Sequence, residues 1–152
     1  MKNLFLTTII TLMLGFTGIS CSSDNDNSSE SIIQTSELPT EPKIFIDTYF
    51  SDAEIIRIER DTNSIDGYYE VYFVGGIQID FDESGVWTEV DGNNQAIPTG
   101  FINPDIMIYV ITNYPAVLIE SIGKKPYGFD IDLVNNIELR FDTEGNFLET
   151  GN

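Results

Sequence analysis

The sequence has no histidine and only one cysteine among its 152 residues. Without histidine it lacks the commonest general base and the commonest transition-metal ligand. A single cysteine excludes an intrachain disulfide and any metal or redox site built on a cysteine pair. The sequence also contains no nucleophile elbow, phosphate-binding loop or dinucleotide fingerprint. We therefore expect a protein that is not an enzyme, has no catalytic residues and carries no cofactor.

Basic residues are scarce. Seven Lys and Arg stand against 25 Asp and Glu, which gives a formal net charge of −18. Nucleic-acid binding needs clustered Lys and Arg against the phosphates, so this class of partner is excluded. Self-repulsion between strongly acidic chains favours a monomer. With 41% hydrophobic and 12% aromatic residues, the chain can still bury a core.

Residues 1–20 have the pattern of a bacterial signal peptide. Lys2 gives a positive start, and the apolar run Leu4–Phe16 is too short to span a bilayer comfortably. The following Gly18-Ile19-Ser20-Cys21 resembles a lipobox, whose cysteine is lipidated, although leucine is usual at the position of Gly18. We expect an exported protein that is lipid-anchored in the cell envelope through Cys21. An ordinary secretory peptide with an incidental cysteine is the alternative.

With this anchor, we expect the protein to contact the membrane only through its lipid. Cleavage removes one basic residue, so the mature chain has 6 basic and 25 acidic groups and a net charge of −19. Anionic head groups repel such a chain. Residues 21–37 are mostly serine, asparagine and acids, which predicts a disordered tether. The expected location is the outer membrane, and whether the domain faces the periplasm or the cell surface stays open.

Two segments of the remaining chain resemble each other. Residues 69–87 and 129–147 align without a gap, and the match predicts two tandem units over residues 38–97 and 98–152. A unit of this size buries little surface, so both units are expected to pack into one folded body. Five aligned pairs are identical: Val74/Val134, Ile77/Ile137, Phe81/Phe141, Asp82/Asp142 and Gly85/Gly145.

Each unit has the pattern of strands that follow a short helix. Residues 68–73 alternate between polar side chains and an apolar set that we assign to the core, and residues 77–82 do the same. Thr40-Glu41-Pro42 and Asn103-Pro104-Asp105 look like helix starts, with a capping side chain and an early proline. The expected fold class is α+β: two tandem αββββ repeats that form one curved antiparallel sheet with the helices packed on one face. The residues expected to form the buried helical stripes are Ile44, Phe45, Thr48, Tyr49, Ile106, Tyr109, Val110 and Asn113.

Short motifs recur along the two units. They are Asn113-Tyr114-Pro115, Phe129-Asp130-Ile131, Phe141–Phe147, Tyr69-Glu70-Val71 and Phe81–Trp87. With the order of helix and strands, these motifs resemble the PepSY-like family, which is related in fold to the β-lactamase inhibitory protein. The resemblance covers residues 38–150, and the first unit departs from it at Phe50-Ser51-Asp52, where the proline is missing.

The resemblance implies an extracytoplasmic lipoprotein with no known catalysis, on a scaffold whose inhibitor members bind a protein through the sheet. Inhibition of a β-lactamase does not follow, because fold does not set function.

The strand pattern leaves a polar face opposite the expected core. An acidic face with a few tyrosines suits a basic protein or peptide, so we predict a non-catalytic binding module, with an inhibitor-like role as one form of it. The sequence leaves the partner unidentified. The alternative is an envelope-structural or periplasmic regulatory protein in which this face is ordinary solvated surface. The candidate binding residues are Tyr68, Glu70, Tyr72, Asp130, Asp132, Glu138 and Arg140.

A short motif also resembles the start of a calcium-binding loop. It would use Asp80, Asp82 and Ser84 as ligands. Strands rather than helices flank the motif, and Arg140 replaces Asp80 in the second unit. These features favour a plain hairpin turn in which Asp82 and Asp142 accept hydrogen bonds from backbone amides. We therefore expect no metal site and keep calcium as the open alternative.

Overall fold

The computed structural model describes residues 30–65 and 67–151, and the predicted signal peptide and Cys21 lie outside them. Two α-helices and nine strands follow one another along this part of the chain, with a 3-10 turn at Thr35–Glu37 before the first helix. Their bounds are β1 (Glu30–Ile33), α1 (Thr40–Tyr49), β2 (Ile55–Asp61), β3 (Tyr69–Phe73), β4 (Gln78–Phe81), β5 (Trp87–Asp91), α2 (Pro104–Asn113), β6 (Ile119–Lys125), β7 (Gly128–Leu133), β8 (Ile137–Asp142) and β9 (Phe147–Thr150).

All nine strands belong to one sheet, and each strand pairs antiparallel with its neighbours in sequence. The connections that contain helices are the one between β1 and β2, with α1, and the one between β5 and β6, with α2. Pairing of β5 with β6 sets Glu89 opposite Gly123 and Val90 opposite Ile122. The sheet therefore continues through the middle of the chain without a break.

The expected fold class, α+β in two tandem αββββ repeats, is wrong. Strands dominate the described residues and the two helices have only ten residues each, so the protein is predominantly β. The sheet also includes strand β1, which precedes α1 and which the predicted repeats did not contain. Residues 69–87 and 129–147 each span two strands and the start of a third, and all six strands belong to this one sheet.

The prediction of a disordered tether over residues 21–37 is wrong for its second part. Residues 30–33 form β1, whose Ile33 pairs with Ile58 of β2 and is 6% exposed. Leu38, at the end of the 3-10 turn, is also buried. The Ser, Gln and Glu residues near Ile33 and Leu38 make the composition of this segment polar. Composition alone therefore does not indicate the short edge strand. Residues 21–29 lie outside the described residues.

The two helices begin differently. In α2 the Asn103 side chain accepts a hydrogen bond from the Asp105 amide at 2.9 Å, and proline follows the cap, as the sequence predicts. The residue before α1 is Pro39, and no side chain caps that helix. The predicted buried stripe of α1 is also partly wrong, since Ile44 is 59% exposed and Ile46 is buried.

One face of the sheet carries the hydrophobic core, and both helices pack on it. The Phe45 ring of α1 meets Phe81 edge-on with 5.8 Å between ring centroids, and the Tyr109 ring of α2 meets Phe141 at 5.4 Å. Neither helix covers the opposite face, which we call the open face. No helix among the described residues has the length and apolar composition of a membrane span. The buried strand side chains on the helix face include Val71, Phe73, Ile79, Phe81, Ile131, Leu133, Leu139 and Phe141.

Candidate functional site

Strand register aligns mostly charged residues across the open face, with one residue contributed by each strand from β2 to β9. Glu59 lies opposite Glu70, Glu70 opposite Asp80, and Asp80 opposite Glu89. Neighbouring strands are ~4.8 Å apart, so these carboxylates form a continuous row perpendicular to the strands. The row continues through Gly123, Asp130, Arg140 and Glu149.

A second row runs beside the first, and together the two rows contain six of the seven predicted binding residues. Those six are brought onto one face by strand alternation and register, as the sequence predicts, whereas their role in binding stays a prediction. The second row consists of Arg57, Tyr72, Gln78, Asp91, Ser121, Asp132 and Glu138.

Tyr68, the seventh predicted residue, lies in a different environment. It precedes β3, and its ring contacts that of Tyr69 with 4.9 Å between centroids. It lines a cavity of about 670 Å³ between the loop after β2 and the turn after β4. We therefore leave Tyr68 out of the candidate site.

The sequence interpretation missed the residues at the centre of the open face. Glu89 and Asp91 belong to β5, for which no strand bounds are predicted. The predicted alternation over residues 77–82 includes Asp80 among the polar side chains, but Asp80 is not among the candidate binding residues. The Glu89-Val90-Asp91 alternation is the signal that could have found them, since Val90 is fully buried between two acids of the open face.

An arginine neutralises the acids at the β2–β3 end of the open face. The Nε of Arg57 donates to Glu59 Oε1 at 2.6 Å, and its guanidinium lies 3.7 Å from the centroid of the Tyr72 ring. The Tyr72 hydroxyl donates to Glu70. Burial and the adjacent Glu70 raise the pKa of Tyr72, so this phenol stays protonated. Both carboxylates at this end therefore have a hydrogen-bond donor.

A second arginine plays the same part at the β7–β9 end. The Nη1 and Nη2 of Arg140 lie 2.8 Å from Glu149 and 3.0 Å from Glu138, and its Nε is 3.8 Å from Asp130. The Tyr127 hydroxyl also donates to Asp130. The hydrogen bonds that Arg140 donates to Glu149 and Glu138 raise its pKa, so it keeps its charge.

The acids between these two ends have little compensating charge. Within residues 30–65 and 67–151, no ion pair involves Asp80, Asp91 or Asp132, and the partner of Glu89 is Lys125 at 3.9 Å. Asp80, Glu89 and Asp91, together with Gln78, line a cavity of about 180 Å³. The negative charge of the open face is thus concentrated on its central strands.

The pKa values of the central acids reflect this crowding. Burial raises the pKa of Asp80 to about 6, and the charges of Glu70, Glu89 and Asp91 add to the effect, against the hydrogen bond from Gln78. Burial also raises the pKa of Glu89, with Lys125 opposing and Asp91 contributing. The surroundings of Asp80 and Glu89 disfavour their ionised forms, so binding of a cation beside these two carboxylates would be favourable.

The calcium candidates do not come together. Asp80 lies on the open face, whereas Asp82 accepts hydrogen bonds from the Ser84 hydroxyl at 2.6 Å and the Val86 amide at 2.9 Å within the turn after β4. Asp142 accepts comparable amide hydrogen bonds in the turn after β8. This is the hairpin-turn arrangement that the sequence favoured. In the part of the chain that the structure describes, no group of three or more acidic, His or Cys side chains is placed to hold a metal ion.

Comparison with known proteins gives one family match. A family model described as "Putative beta-lactamase-inhibitor-like, PepSY-like" matches residues 67–149, which is 83 of the 152 residues. No curated protein matches the chain.

Several solved structures are similar over most of the chain. One, described as a "putative calcium-regulated periplasmic protein" from Bacteroides thetaiotaomicron, is 31% identical with a TM-score of 0.75, covering 81% of this chain and 97% of that one. A "putative periplasmic protein of unknown function" from Bacteroides vulgatus is 26% identical with a TM-score of 0.74, covering 81% and 99%. Another "putative periplasmic protein" from Bacteroides vulgatus is 30% identical with a TM-score of 0.73, covering 85% and 100%.

Proposed function

The chain belongs to the PepSY-like, β-lactamase-inhibitor-like family, and on that premise we propose that it is a non-catalytic periplasmic module whose open face binds a basic protein segment or peptide. The observation that carries this proposal is the group of carboxylates that the two rows place on β3 to β5, of which Asp80 and Asp91 have no ion pair among the described residues. The family sets the scaffold, and the open face of this chain sets the chemistry of the partner.

A basic partner would relieve an electrostatic cost that the free protein bears. Asp80 and Glu89 are partly desolvated, and the charges of these two acids and of Asp91 repel one another. A lysine or arginine side chain placed among them favours the ionised forms of Asp80 and Glu89. Such binding depends on salt, because the Debye length is about 8 Å at 0.15 M ionic strength. Complementary charge of this kind also raises the association rate and rejects acidic partners.

The proposal is tested with a labelled peptide of about eight residues that contains four lysines, and the same peptide with glutamine for lysine. We expect the protein from residue 22 onward to bind the lysine peptide, and the double variant Asp80→Asn/Glu89→Gln to bind it at least roughly tenfold more weakly, because two charged contacts are lost. Fluorescence anisotropy at 50 and 200 mM NaCl measures both effects.

A matched control changes the same charge on the helix side of the molecule. Glu41 and Asp105 lie in the first turns of α1 and α2, away from the open face. Glu41→Gln/Asp105→Asn is expected to change the dissociation constant less than twofold. Equal losses in both double variants, or no difference between the two peptides, would favour the alternative in which the open face is plain solvated surface.

Calcium is the competing ligand for the same carboxylates, since one structural neighbour is described as calcium-regulated. Our proposal assigns the open face to a partner's cationic side chains. Calorimetric titration with CaCl₂ alone is therefore the companion measurement. One equivalent of tightly bound calcium, lost in Asp80→Asn/Glu89→Gln, would assign the face to calcium instead.

We also propose that the protein is exported and held at the membrane by lipid on Cys21. The lipobox-like Gly18–Cys21 and the periplasmic descriptions of the structural neighbours support this placement. Cys21→Ser is expected to move the protein from the membrane fraction to the soluble envelope fraction, because the domain surface is strongly acidic. Fractionation of cells followed by immunoblotting checks this, and a variant that stays with membranes would contradict the lipid anchor.

A further inference from the structure

The charged row across the open face has one gap, at Gly123 of β6. Register places Gly123 between Glu89 and Asp130, so a position without a side chain lies between two carboxylates. A cavity of about 240 Å³ covers this position, and Asp132 and Glu138 also line it. The gap is therefore an opening of side-chain size with acids on both sides.

The backbone at Gly123 does not itself require glycine. Its φ is not among the positive values found at the turn glycines such as Gly75 and Gly85. A Cβ added there would come no closer than 3.4 Å to any atom, and the nearest atoms are the tips of the Glu89 and Lys125 side chains. Strand geometry would accept a larger residue, so what the glycine provides is the empty space.

The chain's own Lys125 lies across this space. Its Nζ is 3.4 Å and its Cε 3.5 Å from the position of a Gly123 Cβ, so the side chain runs back along β6 and over the glycine. The ammonium reaches Glu89 Oε2 at 3.9 Å. Both side chains are only partly buried, with 39% of Lys125 and 47% of Glu89 exposed. An ion pair of this length and exposure is weak, and another cation can replace it.

We propose that the Gly123 gap is the subsite for one lysine side chain of the partner, and that Lys125 occupies it until that partner binds. This inference rests on the proposed function of the open face and specifies where the partner's cation goes. The ammonium of the partner takes the position of the Lys125 ammonium beside Glu89, and the absent side chain at Gly123 gives its methylene stem room to enter.

Two substitutions act on the subsite in opposite directions. Lys125→Met removes the internal competitor and is expected to tighten binding of the lysine peptide about threefold to tenfold. Gly123→Val fills the gap with a residue that suits a strand and is expected to weaken binding at least tenfold. Gly123→Ala is the milder variant to use if valine lowers the unfolding midpoint. Anisotropy with the same lysine and glutamine peptides measures each effect on the protein from residue 22 onward.

Lys43→Met is the matched control for charge. Lys43 lies on α1, where its Nζ donates to the Ser36 carbonyl, and its loss changes the net charge by the same amount. If Lys125 occupies the subsite, Lys125→Met must tighten binding of the lysine peptide more than Lys43→Met does. The subsite is wrong, and the proposed function stands, under one combination of results. The wild type binds the lysine peptide and Asp80→Asn/Glu89→Gln binds it more weakly. At the same time, Lys125→Met and Lys43→Met change the affinity equally and the Gly123 variants bind like the wild type. If the wild type binds no lysine peptide, both are wrong.

Discussion

Replacing Asp80 with asparagine is expected to stabilise the protein at pH 7.5 by up to about 3 kcal/mol, because a pKa difference of one unit is worth about 1.4 kcal/mol. Burial first, and then Glu70, Glu89 and Asp91, raise the pKa of Asp80 from 3.8 to about 6 in the folded protein. The ionised carboxylate therefore costs folding free energy above pH 6. The wild type should gain this stability as the pH falls from 6 towards 4, and the variant should show no such gain from this position.

Urea unfolding at pH 7.5 and pH 4 measures the effect. Asp132→Asn is the control, because Asp132 is an exposed carboxylate of the same open face and its loss changes the net charge equally. At pH 7.5 we expect Asp80→Asn to raise the free energy of unfolding clearly more than Asp132→Asn does. At pH 4 this gain should disappear. An advantage that equals the control, or that persists at pH 4, would mean that Asp80 is not held ionised at a cost.

Asp82, two residues further along the chain, is expected to behave in the opposite way. Partial burial raises its pKa, but hydrogen bonds from Ser84 and from the Val86 amide outweigh burial, so the pKa is lowered overall. A lowered pKa means that Asp82 stabilises the fold above the usual aspartate range and that this contribution is lost as the pH falls through the lowered value. Asp82→Ala should cost about 1 kcal/mol at pH 7.5, as the loss of hydrogen bonds to a charged acceptor predicts.

Replacing Gly128 with alanine is expected to destabilise the protein by more than about 3 kcal/mol, which lowers the melting temperature by roughly 10 °C or more. Gly128 begins β7 opposite Asp142 and has a φ of +149°, which an alanine rarely adopts. A Cβ there would lie 2.2 Å from the Phe141 carbonyl oxygen and 2.3 Å from the Asp142 carbonyl carbon. Both are backbone atoms of β8, so the strand pair must open to admit it.

Gly123→Ala is the control for this change, since it lies in the same sheet and its added Cβ would meet only side-chain tips at 3.4 Å or more. We expect its melting temperature to stay within a few degrees of the wild type. Thermal unfolding followed by circular dichroism compares the two variants. If Gly128→Ala melts at the same temperature as Gly123→Ala, then β7 and β8 can move apart at this end without loss of stability.

Local patterns in the sequence predicted much of the sheet but not its extent. The alternation of Tyr69, Val71 and Phe73 gave the buried face of β3, because a strand with one buried face repeats every two residues. Strand β1 could not be predicted, because only Ile33 enters the core and the other three residues of the strand are exposed. Tertiary pairing with β2, which no local pattern encodes, is what makes residues 30–33 a strand.

The composition of the open face was predictable, but the distribution of charge across it was not. The alternation pattern placed Glu70, Tyr72 and Asp132 on one face. It could not show the contacts of Arg57 with the Tyr72 ring and of Arg140 with Glu149, because those contacts depend on which strands are neighbours. It also could not show that Gly123 falls in line with Glu89, which follows from the pairing of β5 with β6.

Amide chemical-shift changes in ¹⁵N-labelled protein from residue 22 onward locate the bound lysine peptide, and so test directly whether it binds at the open face. Binding at the open face predicts the largest changes on β4, β5 and β6, near Asp80, Glu89 and Gly123, and little change on α1 and α2. Changes confined to the helices, or none at peptide concentrations well above those used for anisotropy, would contradict the account.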